Sequence, residues 1–161
     1  MKLRSIHNND FLRISTNLNE WWGGRNMVDM LPRLFIDHFQ DTSFLLEKDG
    51  QLMGFVIGFV SQSHPEKAYI HFVGVNLKAR KEKVGRRLYE HFFQVVKEKG
   101  CQMVGCVTSP VNTVSIEFHT KLGFSIKPGD YEVNGISIHQ NYDGIGQDRV
   151  VFEKRLLEGS R

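Results

Sequence analysis

The N-terminal quarter of the chain carries a short strand pattern followed by two stretches of helical spacing. Residues 3–6 indicate a strand, and a helix is predicted behind them with Asn8 or Asn9 as its cap. The apolar face of that helix is formed by Phe11, Leu12, Ile14 and Leu18. A glycine pair ends it, and the apolar spacing over 27–39 predicts a second amphipathic helix despite the internal Pro32.

The middle of the chain changes to β-branched and aromatic residues, which predict strands. Three runs have this composition, at 43–47, 52–60 and 69–75. The turn sequence 48–51 separates the first two runs, and a polar stretch with a proline separates the second from the third. We therefore expect an antiparallel meander.

The second half of the chain alternates helices with strands. A buried helical stripe is predicted along Val84, Leu88, Phe92, Val95 and Val96. A strand at 103–108 and a helix at 112–122 follow, and the closing strands are predicted at 124–126, 133–139 and 149–156. This order favours an α/β fold with a mixed sheet. Because no linker or repeat divides the chain, we expect one domain over residues 1–161.

The composition is that of an ordinary folded protein and excludes several classes. The net charge of +3 is too small and too scattered to indicate nucleic-acid binding. The N-terminal sequence lacks the apolar run of a signal peptide, and no apolar stretch is long enough to span a bilayer, so a soluble cytoplasmic protein is expected. Cys101 and Cys106 are interpreted as small core residues, and no Cys/His spacing indicates a metal site.

Segment 73–88 joins a strand to a helix through a basic loop, and its geometry suits an anion. The unpaired N–H groups and the positive end of the macrodipole at the helix start favour phosphate. Positive charge around this point comes from Lys78, Arg80, Lys81, Lys83, Arg86 and Arg87. The alternative is a solvated basic helix start without a ligand.

The order of residues in this segment resembles the pyrophosphate-binding segment of GNAT acetyltransferases, in which Gln/Arg-x-x-Gly-x-Gly/Ala joins a strand to a helix. Arg80 and Gly85 match, whereas Lys83 occupies the place of the first glycine. We expect Lys83 to keep an ordinary backbone conformation with its side chain turned outward, or to contact phosphates with its ammonium group. The resemblance implies acetyl-CoA as cosubstrate, held along Arg80, Lys81, Glu82, Lys83, Val84, Gly85 and Arg86.

A second segment, 112–124, resembles the helix that follows in the same family, where Asn, a small residue and then Phe-Tyr-x-Lys-x-Gly-Phe are frequent. The chain keeps Asn112, Ser115, Phe118, Lys121, Gly123 and Phe124. Asn112 and Ser115 are further candidates for cofactor contacts, although Asn112 can also be a simple helix cap. Together the segments imply the GNAT-type fold, a mixed, mostly antiparallel central sheet of about six to seven strands flanked by about four helices.

Acetyl transfer from a thioester to an amine needs a polarised carbonyl and a proton for the departing thiolate. The resemblance implies that a backbone N–H of the strand Val73, Gly74 and Val75 hydrogen-bonds and polarises the thioester carbonyl. Gly74 suits a bulge in this strand. The thiolate-protonating tyrosine of the family falls at position 119. His119 can donate a proton there, and the alternative is a helix-surface or capping histidine.

The reaction also needs a neutral amine, and the strand before the basic loop supplies a candidate base. Alternation places on one strand face Tyr69, His71, Val73 and Val75. The run Tyr69-x-His71-Phe72-x-Gly74-Val75 looks like the histidine-bearing strand of arylalkylamine N-acetyltransferases, whose histidines relay a proton from the amine through water. His71 is therefore the candidate base, in contact with the substrate and beside Tyr69. A structural histidine is the alternative.

The acceptor pocket is expected near the loop between the first two helices. Trp21 and Trp22 could hold an amine by cation–π contact there, and Arg25 could bind a carboxylate, although a tryptophan at this place can also belong to the core. Tyr142 lies in an acidic loop that could face a cationic acceptor or be a solvated turn.

Three functions follow from these observations. The first is an N-acetyltransferase that transfers the acetyl group of acetyl-CoA to a primary amine of a small acceptor. The second is a noncatalytic CoA-binding regulatory module, suggested by Lys83 and His119 at the two departures from the family pattern. The third, a nucleic-acid-binding domain using the basic loop, lacks aromatic residues between its cations. The oligomeric state stays open, with a homodimer as a common expectation.

Overall fold

The structure is a computed structural model that describes residues 1–22, 24 and 27–156. Its strands are β1 Lys2–Ser5, β2 Phe44–Lys48, β3 Gln51–Val60, β4 Lys67–Val75, β5 Met103–Thr108, β6 Ser125–Ile126, β7 Tyr131–Val133, β8 Ile136–Ile138 and β9 Val150–Arg155. Its α-helices are α1 Phe11–Trp21, α2 Arg33–His38, α3 Val84–Glu98 and α4 Thr113–Lys121. Short 3-10 turns occupy Asn8–Asp10, Val28–Met30, Gln40–Thr42 and Leu77–Glu82.

A seven-stranded sheet forms the centre, in the order β1-β2-β3-β4-β5-β9-β6. All neighbouring strands in it are antiparallel except β4 and β5, which run parallel. The predicted mixed, mostly antiparallel sheet with about four flanking helices is therefore confirmed. Within the part of the chain that the structure describes, no helix is long and apolar enough to cross a membrane.

Two apolar clusters cover the two faces of this sheet. One contains Leu88 and Phe92 of α3, and the other contains Ile14 of α1 and Ile36 of α2. Strand β3 supplies both clusters, with Phe55 and Ile57 in the second cluster and Val56 between them in the first, as the period of a strand requires. The molecule thus has an α3 side and an α1 side, and a site between strands of the sheet can open to both.

Two glycines of β3 bring α3 unusually close to the sheet. A Cβ at Gly54 would lie 2.6 Å from Cγ1 of Val84, and one at Gly58 would lie 2.7 Å from the ring of Phe92. Contacts this short are not possible for real side chains, so both positions need glycine. Because Val84 is the first residue of α3, this packing fixes the N-terminus of the helix against the middle of the sheet.

The N-terminal helices differ from the prediction in two places. No single helix spans 27–39, because Pro32 adopts an extended conformation and α2 begins only after it. Neither Asn8 nor Asn9 caps α1. Instead Asp10 accepts from the backbone N–H of His7 at 2.8 Å, while Arg4 holds both oxygens of its carboxylate at 2.9 Å.

The turns show one confirmed prediction and one error. The 48–51 turn is a hairpin as expected, with Asp49 and Gly50 both at positive φ. The segment 133–139 was predicted as one strand, but Asn134 and Gly135 also adopt positive φ and fold it into the β7–β8 hairpin. An Asn-Gly pair is a strong hairpin signal that the apolar residues around it obscured.

Candidate active site

A gap between β4 and β5 is the central feature of the candidate site. The two parallel strands pair only at the start of β4, where Lys67, Ala68 and Tyr69 face Met103, Val104 and Gly105. Beyond Tyr69 the strands diverge, since β4 continues to Val75 with pairing only to β3. The result is a V-shaped opening, the β4–β5 gap, with its apex at Tyr69.

Backbone N–H groups of β4 point into this gap. Asn76 donates to the carbonyl of Met53 at 2.8 Å, so the hydrogen-bonded pairs of β3 and β4 fall on every second residue from there. Val73 and Val75 lie between those pairs and turn their N–H groups towards β5. These two N–H groups could donate hydrogen bonds to a carbonyl oxygen that enters the gap.

The β-bulge predicted at Gly74 lies instead at His71. Ile57 pairs with Phe72 and Gly58 pairs with Ile70, which leaves His71 as the extra residue. Gly74 is needed for packing, because a Cβ there would lie 2.5 Å from the ring of Phe55.

The bulge also overturns the prediction of one shared strand face. Val73 and Val75 pack with the apolar cluster that contains α3, whereas the imidazole of His71 stacks on the ring of Phe35 in α2. The bulge reverses the alternation between them, so His71 looks towards the α1 side of the sheet.

The start of α3 presents the predicted backbone donors. Arg87 is the first residue of this helix whose N–H bonds a preceding carbonyl, that of Lys83 at 3.0 Å, so the N–H groups of 84–86 have no intrahelical acceptor. Val84 is buried and can offer only its backbone. These donors and the helix dipole form a site that fits a phosphate group.

Lys83 does not keep the ordinary backbone conformation that was predicted for it. Its φ of 57° and ψ of 34° are left-handed, so it adopts the conformation that a glycine favours. The chain must turn sharply here from the 3-10 turn Leu77–Glu82 into α3, and this requirement outweighs the residue type. A non-glycine residue in this region costs about 1–2 kcal/mol.

Two further side chains fix the basic loop. The side chain of Asn76 accepts from the N–H of Lys78 at 2.9 Å and donates to the carbonyl of Leu52 at 3.0 Å, which ties the loop to β3. Arg80 reaches the carbonyl of Trp21 at 3.4 Å, at the end of α1. Sequence reasoning missed Asn76, although an asparagine directly after a strand is a known turn signal.

The start of α4 borders the same region. Asn112 caps the helix by accepting from the N–H of Ser115 at 3.1 Å, which was the simpler of its two predicted roles. Gly85 faces Phe118 of α4, whose ring would lie 3.1 Å from a Cβ at that position. The glycine therefore serves the packing of α3 against α4 as well as access to the helix N-terminus.

The structure buries His119 and engages both of its ring nitrogens within the core. The side chain is 4% exposed and stacks on Phe152. Its Nδ1 lies 2.7 Å from the carbonyl oxygen of Ser115, so Nδ1 must donate, and Nε2 then accepts from the hydroxyl of Tyr89 at 2.9 Å. Burial lowers the pKa of His119 and keeps it neutral. The surface alternative is therefore wrong, while the engagement of both ring nitrogens argues against the predicted acid role.

His71 has the features of a neutral base. Its Nε2 lies 2.7 Å from the carbonyl oxygen of Met30 and therefore donates, which leaves Nδ1 as the basic nitrogen. Phe35 stacks on the imidazole at 4.0 Å between ring centroids. Burial lowers the pKa of His71, and the bond to Met30 only partly opposes this effect. The ring is thus held in one tautomer and unprotonated at neutral pH.

Tyr69 and the 139–149 loop meet at the apex of the gap. Burial raises the pKa of the Tyr69 phenol, and nearby Tyr142 raises it further. Tyr142 is 47% exposed, and the neighbouring Asp143 is paired with Arg149 at 2.8 Å. Tyr69 therefore keeps its proton at neutral pH, and Tyr142 remains accessible beside it.

The tryptophans predicted for the acceptor pocket divide between two roles. Trp21 is 4% exposed and packs against Phe55, so it is a core residue and not an acceptor contact. Trp22 is half-buried, with its ring 5.0 Å from that of Phe72. Arg25 lies outside the described residues.

Comparison with known proteins agrees with this architecture. The model of the acetyltransferase (GNAT) family matches residues 7–124, which is most of the chain. The chain belongs to the GNAT family of acetyltransferases. Its matching part includes the β4–β5 gap, the basic loop and α4, so the family resemblance seen in the two motifs is confirmed.

Individual GNAT relatives are distant. The L-2,4-diaminobutyric acid acetyltransferase of Wolinella succinogenes is 28% identical over 87 residues, which cover 53% of this chain and 50% of that protein. The chain thus spans about half the length of this curated relative.

Solved structures extend the likeness over nearly the whole chain, at identities that show the fold alone. The ribosomal-protein-S18-alanine N-acetyltransferase of Escherichia coli has a TM-score of 0.68 and 17% identity, covering 99% of this chain and 97% of that one. The diaminobutyrate acetyltransferase of Paenibacillus lautus, in complex with its substrate and coenzyme A, has a TM-score of 0.69 and 16% identity, covering 99% and 98%.

Proposed function

We propose that the chain is an acetyl-CoA-dependent N-acetyltransferase that transfers the acetyl group directly to a primary amine of a small acceptor. The observation that carries this proposal is the β4–β5 gap, with the N–H groups of Val73 and Val75 on its edge and, at its open end, the N–H groups of 84–86 that lack an intrahelical acceptor. Donors at those two places fit a thioester carbonyl and a diphosphate, the two polar parts of acetyl-CoA.

The candidate residues for the remaining proton transfers lie at the apex of the gap. Bound acetyl-CoA supplies an activated acetyl group, which an amine can attack only in its neutral form. His71, neutral and held by Met30, is the candidate that takes the proton from the amine, directly or through water. Tyr69 keeps its phenolic proton and is the candidate that protonates the departing thiolate in place of the buried His119.

The cosubstrate site is proposed to include the residues that surround these donors. Arg80, Lys81 and Arg86 supply positive charge beside the helix start, and Glu82, which pairs with Lys48 at 3.4 Å, borders them. Lys83 adds a cation at the turn itself. Asn112 and Ser115 approach from α4, where the side-chain amide of Asn112 remains a donor while its oxygen caps the helix.

A noncatalytic CoA-binding module is the second candidate, and one observation favours it. The residue at the family's thiolate-protonating position is His119, whose two ring nitrogens are both engaged within the core. If Tyr69 does not replace it, the protein would bind the cosubstrate without efficient turnover.

A single set of measurements separates the two candidates. Calorimetry with acetyl-CoA reports binding, and thiol release with a panel of primary amines reports transfer. Binding together with amine-dependent thiol release supports the enzyme, whereas tight binding without release supports the module. Absence of acetyl-CoA binding would contradict both. Tyr69→Phe, which removes only the hydroxyl, should lower the rate of thiol release without weakening acetyl-CoA binding.

A further inference from the structure

A continuous row of aromatic rings lies on the α1 side of the sheet beside the apex of the gap. Adjacent centroids lie 4.0 Å apart for His71 and Phe35, 5.5 Å for Phe35 and Phe39, 5.1 Å for Phe39 and Phe59, and 5.6 Å for Phe59 and Tyr69. These five residues are called the aromatic wall below.

The rings of the aromatic wall are only partly buried. All five rings are half-buried, whereas the core rings on the same side, Trp21 and Phe55, are less than a tenth exposed. The wall therefore offers apolar ring surface that the fold itself leaves partly uncovered. Its two ends are the two candidate catalytic residues, Tyr69 and His71.

The two described arginines on the elements that carry or border the wall are already paired. On α2, Arg33 binds Asp37 at 3.0 Å. In the 139–149 loop, Arg149 binds Asp143 at 2.8 Å and also donates to the carbonyl of Asp148. A carboxylate-bearing acceptor would have to break one of these pairs to bind either arginine, whereas an uncharged ring would gain contact area without that cost.

We propose that the acceptor is a primary amine carried on an aromatic group, which packs against the aromatic wall and directs its nitrogen to His71. This inference rests on the proposed function. Aromatic rings bury large apolar areas and gain from offset or edge-to-face contacts with other rings. An ammonium group is also attracted to ring faces before it loses its proton.

The test compares amines that differ in the ring alone. With saturating acetyl-CoA, kcat/KM is measured for 2-phenylethylamine, n-butylamine and L-2,4-diaminobutyrate. We expect 2-phenylethylamine to exceed both others by about tenfold or more, since one ring packed on others contributes roughly that factor. In Phe59→Leu, which keeps apolar volume but removes the ring, this preference should fall several-fold through KM.

A matched variant separates loss of the wall from loss of folding. Phe93 is another half-buried ring, on α3 at the opposite side of the sheet, where it packs with Tyr89 and Phe124. Phe93→Leu should leave the preference among amines unchanged, and thermal unfolding of both variants reports any loss of stability.

The outcomes are distinct. Equal or better use of n-butylamine or diaminobutyrate, unaffected by Phe59→Leu, would overturn the aromatic acceptor while leaving the N-acetyltransferase intact. Acetyl-CoA binding with no thiol release for any amine would overturn the proposed enzyme, and the aromatic acceptor with it. A preference for 2-phenylethylamine that Phe59→Leu reduces and Phe93→Leu does not would support the inference.

Discussion

The proposed cosubstrate side and the proposed acceptor side of the site are built in different ways. The donors proposed for acetyl-CoA lie in one continuous stretch, the end of β4, the basic loop and the start of α3, with α4 beside it. The acceptor side combines α2, the ends of β3 and β4 and the 139–149 loop, which are far apart in sequence.

This difference explains why the cosubstrate side can be recognised from the sequence and the acceptor side cannot. Backbone N–H groups bind phosphate whatever the side chains are, so a local turn and helix start suffice. An acceptor is distinguished by side chains from several loops, and these vary with the substrate. Four experiments, in order of expected effect, test how separate the two sides are.

The largest effect is expected from His71→Gln, which removes the base and keeps a polar side chain. We expect kcat to fall about 100-fold or more, because general bases contribute roughly that factor. Burial lowers the pKa of His71, so the acid limb of kcat/KM in the wild type should lie below pH 6.5 and disappear in the variant.

Two controls make that result specific. His64→Gln changes an exposed histidine in the turn after β3 and should leave the pH profile unchanged. Calorimetry should give His71→Gln the wild-type affinity for acetyl-CoA. An unaltered pH profile in His71→Gln would assign this histidine to packing.

The second effect tests the structural role of His119. Tyr89→Phe removes the hydroxyl that donates to Nε2 and leaves a buried acceptor unpaired, which costs about 1–3 kcal/mol of unfolding free energy. Urea unfolding measures this cost, and kcat should stay near the wild-type value. Tyr131→Phe, which removes an exposed hydroxyl bonded to Asp148, should cost much less. A large loss of kcat in Tyr89→Phe would return His119 to the mechanism.

The third effect is a pH dependence of stability. Burial lowers the folded-state pKa of His119 below its unfolded value of 6.5, so the unfolded chain binds more protons in acid. The contribution of neutral His119 to the free energy of unfolding is complete above pH 6.5 and is lost as the pH falls through the pKa of His119 in the folded protein. His119→Gln removes the titrating group, so the slope of unfolding free energy against pH below 6.5 should become smaller. His71 and His91 add slopes of the same sign, because burial lowers their pKa values too.

The smallest effect concerns Lys83 on the cosubstrate side. Lys83→Gly relieves the left-handed conformation but makes the unfolded chain more flexible, so we expect a net gain of about 1 kcal/mol or less. Lys83→Ala keeps the strain and should show no gain in urea unfolding.

Calorimetry with acetyl-CoA then separates backbone from side chain at Lys83. Weaker binding in both variants would mean that the ammonium group contacts phosphate. Unchanged binding in both would mean that the backbone N–H groups are sufficient, and loss in Lys83→Ala alone would contradict both explanations.

The sequence by itself determined the order of most elements, the mixed sheet and the family. Those features depend on local periodicity and on two contiguous motifs, and neighbours in sequence are neighbours in space there. Turn chemistry was equally local at Asp49-Gly50, where positive φ at both residues agrees with the predicted hairpin.

Tertiary structure decided the rest, because it depends on which groups meet from distant segments. One extra residue at His71 reversed the strand face, and alternation could not reveal it. A hydroxyl on α3 satisfied His119 in the core, although the histidine stood at a family catalytic position. Lys83 adopts a left-handed conformation because the turn into α3 requires it. The aromatic wall forms through the packing of α2 beside β3 and β4, which the sequence pattern does not predict.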